Sequence, residues 1–352
     1  MYIIDVLKNY KLKFKEKFNS QFYFQLARLI KIFCLSPLKS IKGGVLKAMI
    51  NLTYRCDCNC DYCWCGSYDK YPDKELSRFE IKKILNEIAK FPSIFTLVSF
   101  IGGEPFLKED IYELIDYASK KGLFSEMESD GIKLSKSEVL KLKKAGLSHI
   151  FIKIEGSDAD KHNKLAKIDG CFEKAIKGIK TCVKEGLSCS IFMNVSKKKI
   201  KEDEVSKIID LGRSLGVNSV RMIYPMLSGR WLAREDQGLT DEERKQVEKL
   251  LDPGFVYLES SDSVYAGKER MCAALSRKFF HISCYGEVQP CPFVPVSFGN
   301  LHSKTLFEAL NYMWRHPIFN AGYTGCLMNN QDFRKKYILP ARLDISYRNI
   351  NI

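Results

Sequence analysis

The sequence predicts an α/β protein, an open and partial parallel barrel of six strand–helix units, (β/α)6, followed by a small C-terminal subdomain. Three observations carry this. Six short apolar runs alternate with longer amphipathic stretches between residues 48 and 223. Each run ends in turn-forming or polar residues, as a strand does when it leaves a sheet. Beyond the alternation, Cys272, Cys284, Cys291 and Cys326 fall in the last quarter of the chain and set the tail apart.

The expected strands are Ala48–Tyr54, Phe95–Ile101, Phe124–Glu128, Ile150–Ile154, Ser190–Val195 and Ser219–Ile223. Between them lie the expected helices Ser77–Lys90, Glu109–Lys121, Lys136–Ala145, Cys171–Glu185 and Glu202–Leu215. Strands alternating with helices imply βαβ units with right-handed crossovers, hence a parallel sheet. Six strands are too few for a closed eight-stranded barrel and suit a partial, TIM-like one, whose chemistry sits at the C-terminal strand ends. A polar segment, Ser228–Leu239, and a helix, Asp241–Leu251, connect the barrel to the tail, and Asp252-Pro253-Gly254 stops that helix. In the tail, Phe279–Cys284 and Glu287–Val288 form a hairpin around Tyr285-Gly286. At the other end, Phe14, Phe18, Phe22, Leu26, Leu29, Ile30 and Phe33 recur at helical spacing, with Lys15, Lys17, Arg28 and Lys31 off that stripe. Such a helix either docks on the main domain or lies on a membrane surface or an apolar substrate. The expected organisation is therefore 1–45 (basic amphipathic segment), 46–230 (barrel), 231–267 (helical connector) and 268–352 (tail subdomain).

Hydrophobic residues make up 45% of the 352 and charged ones 28%, which allows a large buried core. No apolar run approaches the roughly 20 residues of a membrane span, and the start carries a lysine run with no small-residue cleavage site. A cytoplasmic location is expected. The formal net charge is +14, and residues 1–42 hold nine basic against two acidic residues, half of that surplus. The basic residues are not interleaved with stacking aromatics near the candidate chemistry, so no nucleic-acid partner is expected.

Thirteen cysteines in such a chain are expected as thiols. Cys34, Cys171, Cys182 and Cys189 lie on apolar faces and read as buried small hydrophobes. The others cluster, and clusters of soft thiolates point to zinc or iron–sulfur. The segment 51–70 reads NLTYRCDCNCDYCWCGSYDK, in which only Cys56, Cys60 and Cys63 have the spacing C-x3-C-x2-C. Three thiolates on a loop at a strand end can hold three irons of a [4Fe–4S] cube and leave the fourth free for a substrate. A zinc knuckle that recruits Cys58 or Cys65 as a fourth ligand is the alternative. At the next strand end stands Gly102-Gly103-Glu104-Pro105.

The cysteine spacing, with Tyr62 before its last cysteine, and the Gly-Gly-Glu-Pro segment in that order resemble the radical S-adenosylmethionine (AdoMet) superfamily. The resemblance implies an enzyme whose cofactors are a [4Fe–4S] cluster on Cys56, Cys60 and Cys63 and AdoMet bound to its open iron. One electron would cleave AdoMet to methionine and a 5′-deoxyadenosyl radical, which abstracts hydrogen from substrate. By the same resemblance Gly102, Gly103, Glu104 and Pro105 meet the AdoMet amino group. Ser129, in Glu128-Ser129-Asp130-Gly131, and Glu155, in Lys153-Ile154-Glu155-Gly156, are candidates to touch its ribose or amino-acid moiety, with Asn194 a further one. Asp130 stands where the family commonly has asparagine. An electron donor such as flavodoxin or ferredoxin is also implied.

In the tail, Cys272 is followed by 13 residues, Gly286, four more residues and Cys291. This resembles the SPASM/twitch extension of radical AdoMet enzymes, and the run FGNLHSKTLFEAL resembles its Gly-Asn segment and helix. A full SPASM domain continues with four further cysteines, where this chain offers Cys326. The resemblance therefore implies one auxiliary [4Fe–4S] cluster of the twitch type, with Cys272, Cys291 and Cys326 as ligands and Cys284, another residue or substrate in the fourth place. Zinc in the tail is the alternative.

Ile223-Tyr224-Pro225 through Ser228-Gly229-Arg230, followed by LTDEERKQV, is similar to the subgroup that modifies peptides and haem-precursor tetrapyrroles. The expected substrate is a peptide or a small biosynthetic molecule, with a lipid or a tetrapyrrole carboxylate as the alternative. From another class, a non-catalytic iron–sulfur electron carrier would need four cysteines per cluster and no Gly-Gly-Glu-Pro segment.

Overall fold

A computed structural model describes residues 45–66, 71–91, 95–252, 254–258, 272–277, 279–323, 325–340 and 350–351. The amphipathic stripe of residues 12–35 and Cys34 lie outside the described residues.

The six expected strands are present: β1 (Val45–Asn51), β2 (Phe95–Ile101), β3 (Phe124–Ser129), β4 (His149–Lys153), β5 (Cys189–Asn194) and β6 (Val220–Ile223). They lie side by side in sequence order and pair in parallel. The sheet is wider than the six units expected. A seventh strand, β7 (Val256–Leu258), adds in parallel to β6, and β8 (Phe279–Ile282), from the tail, adds in parallel to β1. The tail hairpin forms as expected, with β8 antiparallel to β9 (Val288–Gln289) and Gly286 at φ +83° in the turn, a conformation that glycine takes without strain. Among the described residues β7 and β9 are the two edges, so the nine-stranded sheet is open.

The crossovers are α1 (Arg78–Ala89), α2 (Ile111–Lys120), α3 (Lys136–Ala145), α4 (Ala159–Ala166), α5 (Cys171–Glu185), α6 (Lys197–Lys201) and α7 (Glu204–Leu215). Local chemistry fixes their ends. Ser77 caps α1 in a reciprocal box with Glu80, a device worth about 1 kcal/mol. Gly146 and Gly186 end α3 and α5 in the left-handed conformation. The longer helices bury an apolar stripe on the sheet: Ile81, Ile84, Leu85 and Ile88 from α1, and Ile111, Leu114, Ile115 and Ala118 from α2. Cys182 and Cys189 are fully buried in this core and Cys171 is buried beside Cys60, as small hydrophobes are. The helix expected over Glu202–Leu215 is preceded by the separate turn of α6, because Asp203 takes a left-handed conformation between the two. After β6, α8 (Asp241–Glu248) starts at the Thr240 capping box, and in the tail α9 (Leu306–Arg315) starts at the Thr305 box. No helix among the described residues is long and apolar enough to cross a membrane.

Candidate metal centre and cofactor site

Because β1 to β6 run in parallel, their C-terminal ends share one rim, and every expected cofactor residue stands on it. The cysteine loop leaves β1, and Gly102 to Pro105 leave β2. The two segments stay laced beyond the strands: Leu52 N–H donates to Ile101 O (2.8 Å), Gly103 N–H to Thr53 O (2.7 Å) and Glu104 N–H to Arg55 O (2.8 Å). The last of these acceptors is the residue before Cys56. The glycines serve this close approach. A Cβ on Gly103 would stand 2.0 Å from Arg55 O, and one on Gly102 2.5 Å from Thr53 O.

On the loop, the Cys58 thiol lies within hydrogen-bonding reach of Cys56 and Cys60, and Cys63 Sγ is 3.5 Å from Cys65 Sγ. Cys60 and Cys65 are buried, while Cys56, Cys58 and Cys63 are half-buried. The Cys63 thiol is drawn down to about 6, first by the Cys65 thiol and then, against burial, by Lys153 and Arg230. Cys60 is drawn to about 7 by Cys58 and by Lys153, again against burial. Lys153, at the end of β4, sits with Nζ 4.4 Å from the Tyr62 ring centroid. Burial opposes its charge, but Cys60, Glu155, Cys63 and Cys56 outweigh it and hold the ammonium protonated. Nothing in the spacing of the motifs pointed to Lys153; its position two residues before Glu155 at a strand end was the available signal. Cys56, Cys58 and Asp130 bring three ligand atoms within 4.8 Å of one another, the spacing a single ion takes. Among the described residues the expected triple Cys56, Cys60 and Cys63 does not form such a single-ion group.

The remaining expected residues form two braces between neighbouring strand ends. Glu104, fully buried, accepts from Ser129 Oγ (3.0 Å), Asp130 N–H (2.9 Å) and Phe106 N–H (3.1 Å), tying β2 to β3. Burial first, and then Asp130, push its carboxyl well above the usual range. Glu155 accepts from Asn194 Nδ2 (2.8 Å) and from Lys199 Nζ, tying β4 to β5, and Lys199 also donates to Asn194 O (2.8 Å). Burial of Glu155 is outweighed by Lys199 and Lys153, which hold its carboxyl below the usual range. His162 Nδ1 accepts the Glu155 N–H (3.1 Å) and is buried as the neutral ring, its pKa lowered to about 4.

Three tail thiols form a second group. Burial first and then Cys326 push Cys272 up to about 12, and burial first and then Cys272 and Cys326 push Cys291 up. Each begins a tight turn in which its carbonyl accepts from the third residue on: Leu275 (3.0 Å), Val294 (3.2 Å) and Asn329 (3.0 Å). Such turns aim backbone N–H groups at the sulfur. Ala274, Leu327 and Leu275 N–H meet the Cys272 thiol, and Phe293 and Val294 N–H meet Cys291. Cys284, the further tail cysteine, packs against the loop cluster. It is fully buried against Tyr54 and Cys65, and its carbonyl accepts Leu76 N–H, because the hairpin turn carries it to the β1 side. The two thiol groups meet through Trp64, between Cys63 and Cys65, whose ring lies 6.2 Å from Phe293 and 5.8 Å from His281.

The chain is similar to several known proteins. The AdoMet-dependent heme synthase of Methanosarcina barkeri is 25% identical over 281 residues, covering 73% of this chain and 79% of the relative. The PqqA peptide cyclase of Bradyrhizobium diazoefficiens is 27% identical over 260 residues, covering 71% and 67%. Among solved structures, Streptococcus suis SuiB bound to S-adenosylmethionine superposes with a TM-score of 0.64 at 16% identity, over 91% of this chain and 77% of that one, and so shares the fold. Residues 50–222 match the model of the radical SAM superfamily. On that domain the chain belongs to the radical SAM superfamily, and it is an enzyme of the kind that works with a [4Fe–4S] cluster and AdoMet.

Proposed function

We propose that Cys56, Cys60 and Cys63 hold the [4Fe–4S] cluster and leave its fourth iron for AdoMet, and that the enzyme abstracts hydrogen from a peptide or a small biosynthetic molecule. The observation that carries this reading is the lacing of the cysteine loop to Gly102–Pro105, which keeps thiolates and a turn of backbone donors on one rim. When bound, the cluster supplies the one electron that cleaves AdoMet to methionine and the 5′-deoxyadenosyl radical. The chain's own part is orientation and exclusion of water. Glu104 fixes Ser129 and Asp130 on one side, and Glu155 fixes Asn194 on the other, so both walls are rigid before a ligand arrives. Lys153 offsets the negative charge of the thiolate-bound cluster. Residues 46–230 are the catalytic barrel, 231–267 the connector and 268–352 a twitch-like subdomain. There Cys272, Cys291 and Cys326 hold one auxiliary [4Fe–4S] cluster, its fourth position left to a non-cysteine residue or substrate. A flavodoxin or ferredoxin supplies the electron.

The peptide reading is supported by the likeness to PqqA peptide cyclase and to SuiB, which has been solved bound to its precursor peptide SuiA. A second reading, a tetrapyrrole carboxylate, is supported by the likeness to the heme synthase. The test is anaerobic reconstitution with iron and sulfide, followed by AdoMet and a strong reductant. Formation of 5′-deoxyadenosine is expected, with deuterium transferred into it from a deuterated peptide or, on the second reading, from a deuterated tetrapyrrole carboxylate. A brown protein that leaves AdoMet intact, or a colourless one holding one zinc at Cys56, Cys58 and Asp130, contradicts the proposal.

A further inference from the structure

The segment Ser228-Gly229-Arg230 has no part in the reading above, yet it lies between the two thiol groups and touches both. Toward the cysteine loop, Arg230 N–H donates to Cys63 O (3.2 Å), Nη1 to Cys60 O (2.6 Å) and Nη2 to Asn59 Oδ1. Gly229 has φ +55°, and a Cβ there would stand 2.3 Å from Trp64 O and 2.5 Å from Cys63 O, so the strap runs against the loop backbone. Toward the tail, Ser228 Oγ donates to Phe293 O (2.8 Å), two residues beyond Cys291. Asn329, three residues beyond Cys326, accepts from Leu227 N–H (3.2 Å) and donates to Pro225 O (3.1 Å). The strap is thus anchored at one end and free to hold the loop at the other.

We propose that Arg230 is a positioning residue for the iron–sulfur site: its forked guanidinium fixes the Asn59–Cys63 part of the loop in ligating shape and sets a permanent positive charge beside the cluster. The proposal rests on the cluster reading above. The two contributions are separable by chemistry. A planar fork holds two nitrogens at a fixed spacing, each on its own acceptor, Cys60 O and Asn59 Oδ1, where an ammonium offers a single nitrogen. A fixed cation near a cluster favours its reduced, more negative state, whether the cation is Arg or Lys.

Arg230→Lys keeps the charge without the fork, and Arg230→Gln keeps neither. In the metal-free protein, hydrogen exchange of the amides of residues 57–66 is expected to be about tenfold faster in both variants, with exchange in β2 and β4 unchanged. In the reconstituted protein, the electron paramagnetic resonance signal that AdoMet shifts isolates the first cluster. At one fixed potential its reduced-to-oxidised ratio is expected to fall about fivefold in R230Q and to stay within about twofold of the parent in R230K. Loop exchange at the parent rate in both variants overturns the fork, and an unchanged ratio in R230Q overturns the charge. Should R230Q not fold, Arg230→Met takes its place as the uncharged variant. A parent chain that builds no AdoMet-responsive cluster refutes the cluster reading instead, and the exchange arm still judges the fork.

Discussion

The loop of Cys56 to Cys65 and the tail group of Cys272, Cys291 and Cys326 bring thiols together by opposite means. The loop is five cysteines within ten residues, held by a rigid parallel sheet: its entry is laced to β2 and its thiols face one another and Lys153. The tail group collects three cysteines spread over 55 residues of sequence, and each is aimed by its own tight turn. Neighbouring thiols first, and then Lys153, draw Cys60 and Cys63 down, whereas burial and then nearby thiols drive Cys272 and Cys291 up. The loop is therefore arranged to hold charge at a surface a ligand can reach. The tail thiols are held in a setting that disfavours their charge, which a bound cation, as proposed, would offset.

The largest test of this contrast is removal of thiols. Cys60→Ala or Cys63→Ala is expected to lower 5′-deoxyadenosine formation by a factor of about 10³ or more, since the cluster carries that chemistry. Cys291→Ala is expected to lower it by no more than about tenfold in the absence of substrate, although either change removes about four irons per chain. Iron analysis and product chromatography on the same samples check both. Next in size is the brace peculiar to the loop side. Glu155→Gln leaves Lys199 buried beside a neutral partner and is expected to cost about 3 kcal/mol in urea unfolding of the metal-free protein. Gly103→Ala forces a methyl against Arg55 O at 2.0 Å and is expected to cost about 2 kcal/mol and to weaken cluster retention.

The most gradual effect is in pH and compares the two sides directly. His162, on the loop side, and His281, on the tail hairpin, are both buried neutral with pKa lowered to about 4. Below about pH 6.5 the unfolded chain takes protons that these rings refuse. Their contribution is thus complete above pH 6.5 and is lost as the pH falls toward 4, by about 1.4 kcal/mol per pH unit for each ring. Unfolding curves between pH 6.5 and 5 check this, and His162→Gln or His281→Gln each removes one share of the slope.

Much of the frame was legible in the sequence because its signals are local. The run Phe95–Ile101 is bounded by turn residues, and α3 and α5 match their expected ranges since apolar periodicity and a terminal glycine mark both. Strand β7 was missed because three residues after a proline–glycine turn carry no pattern of their own. The hairpin of β8 and β9 was readable from its turn, but the parallel docking of β8 on β1 joins segments more than 220 residues apart, and no local signal encodes that. Helix α4 is too polar, and α6 too short, to show a stripe. At the site, motifs placed the thiols and the acidic braces on one rim. They did not place the cations, because lysine and arginine usually mark solvent-facing positions, and Lys153 and Arg230 act through the fold around them. The packing of Cys284 against Tyr54 and Cys65 was hidden for a related reason: spacing counts residues, while the fold decides which neighbours a thiol meets.

The central claim is that the loop's three spaced thiolates bind three irons of a cube and leave the fourth to AdoMet. Mössbauer spectroscopy of the ⁵⁷Fe-reconstituted full chain, recorded before and after addition of AdoMet, tests it most directly. The account predicts that AdoMet moves the signal of a single iron site per chain and that Cys60→Ala abolishes this response while Cys291→Ala preserves it. A spectrum indifferent to AdoMet, or a response that survives in Cys60→Ala, would contradict it.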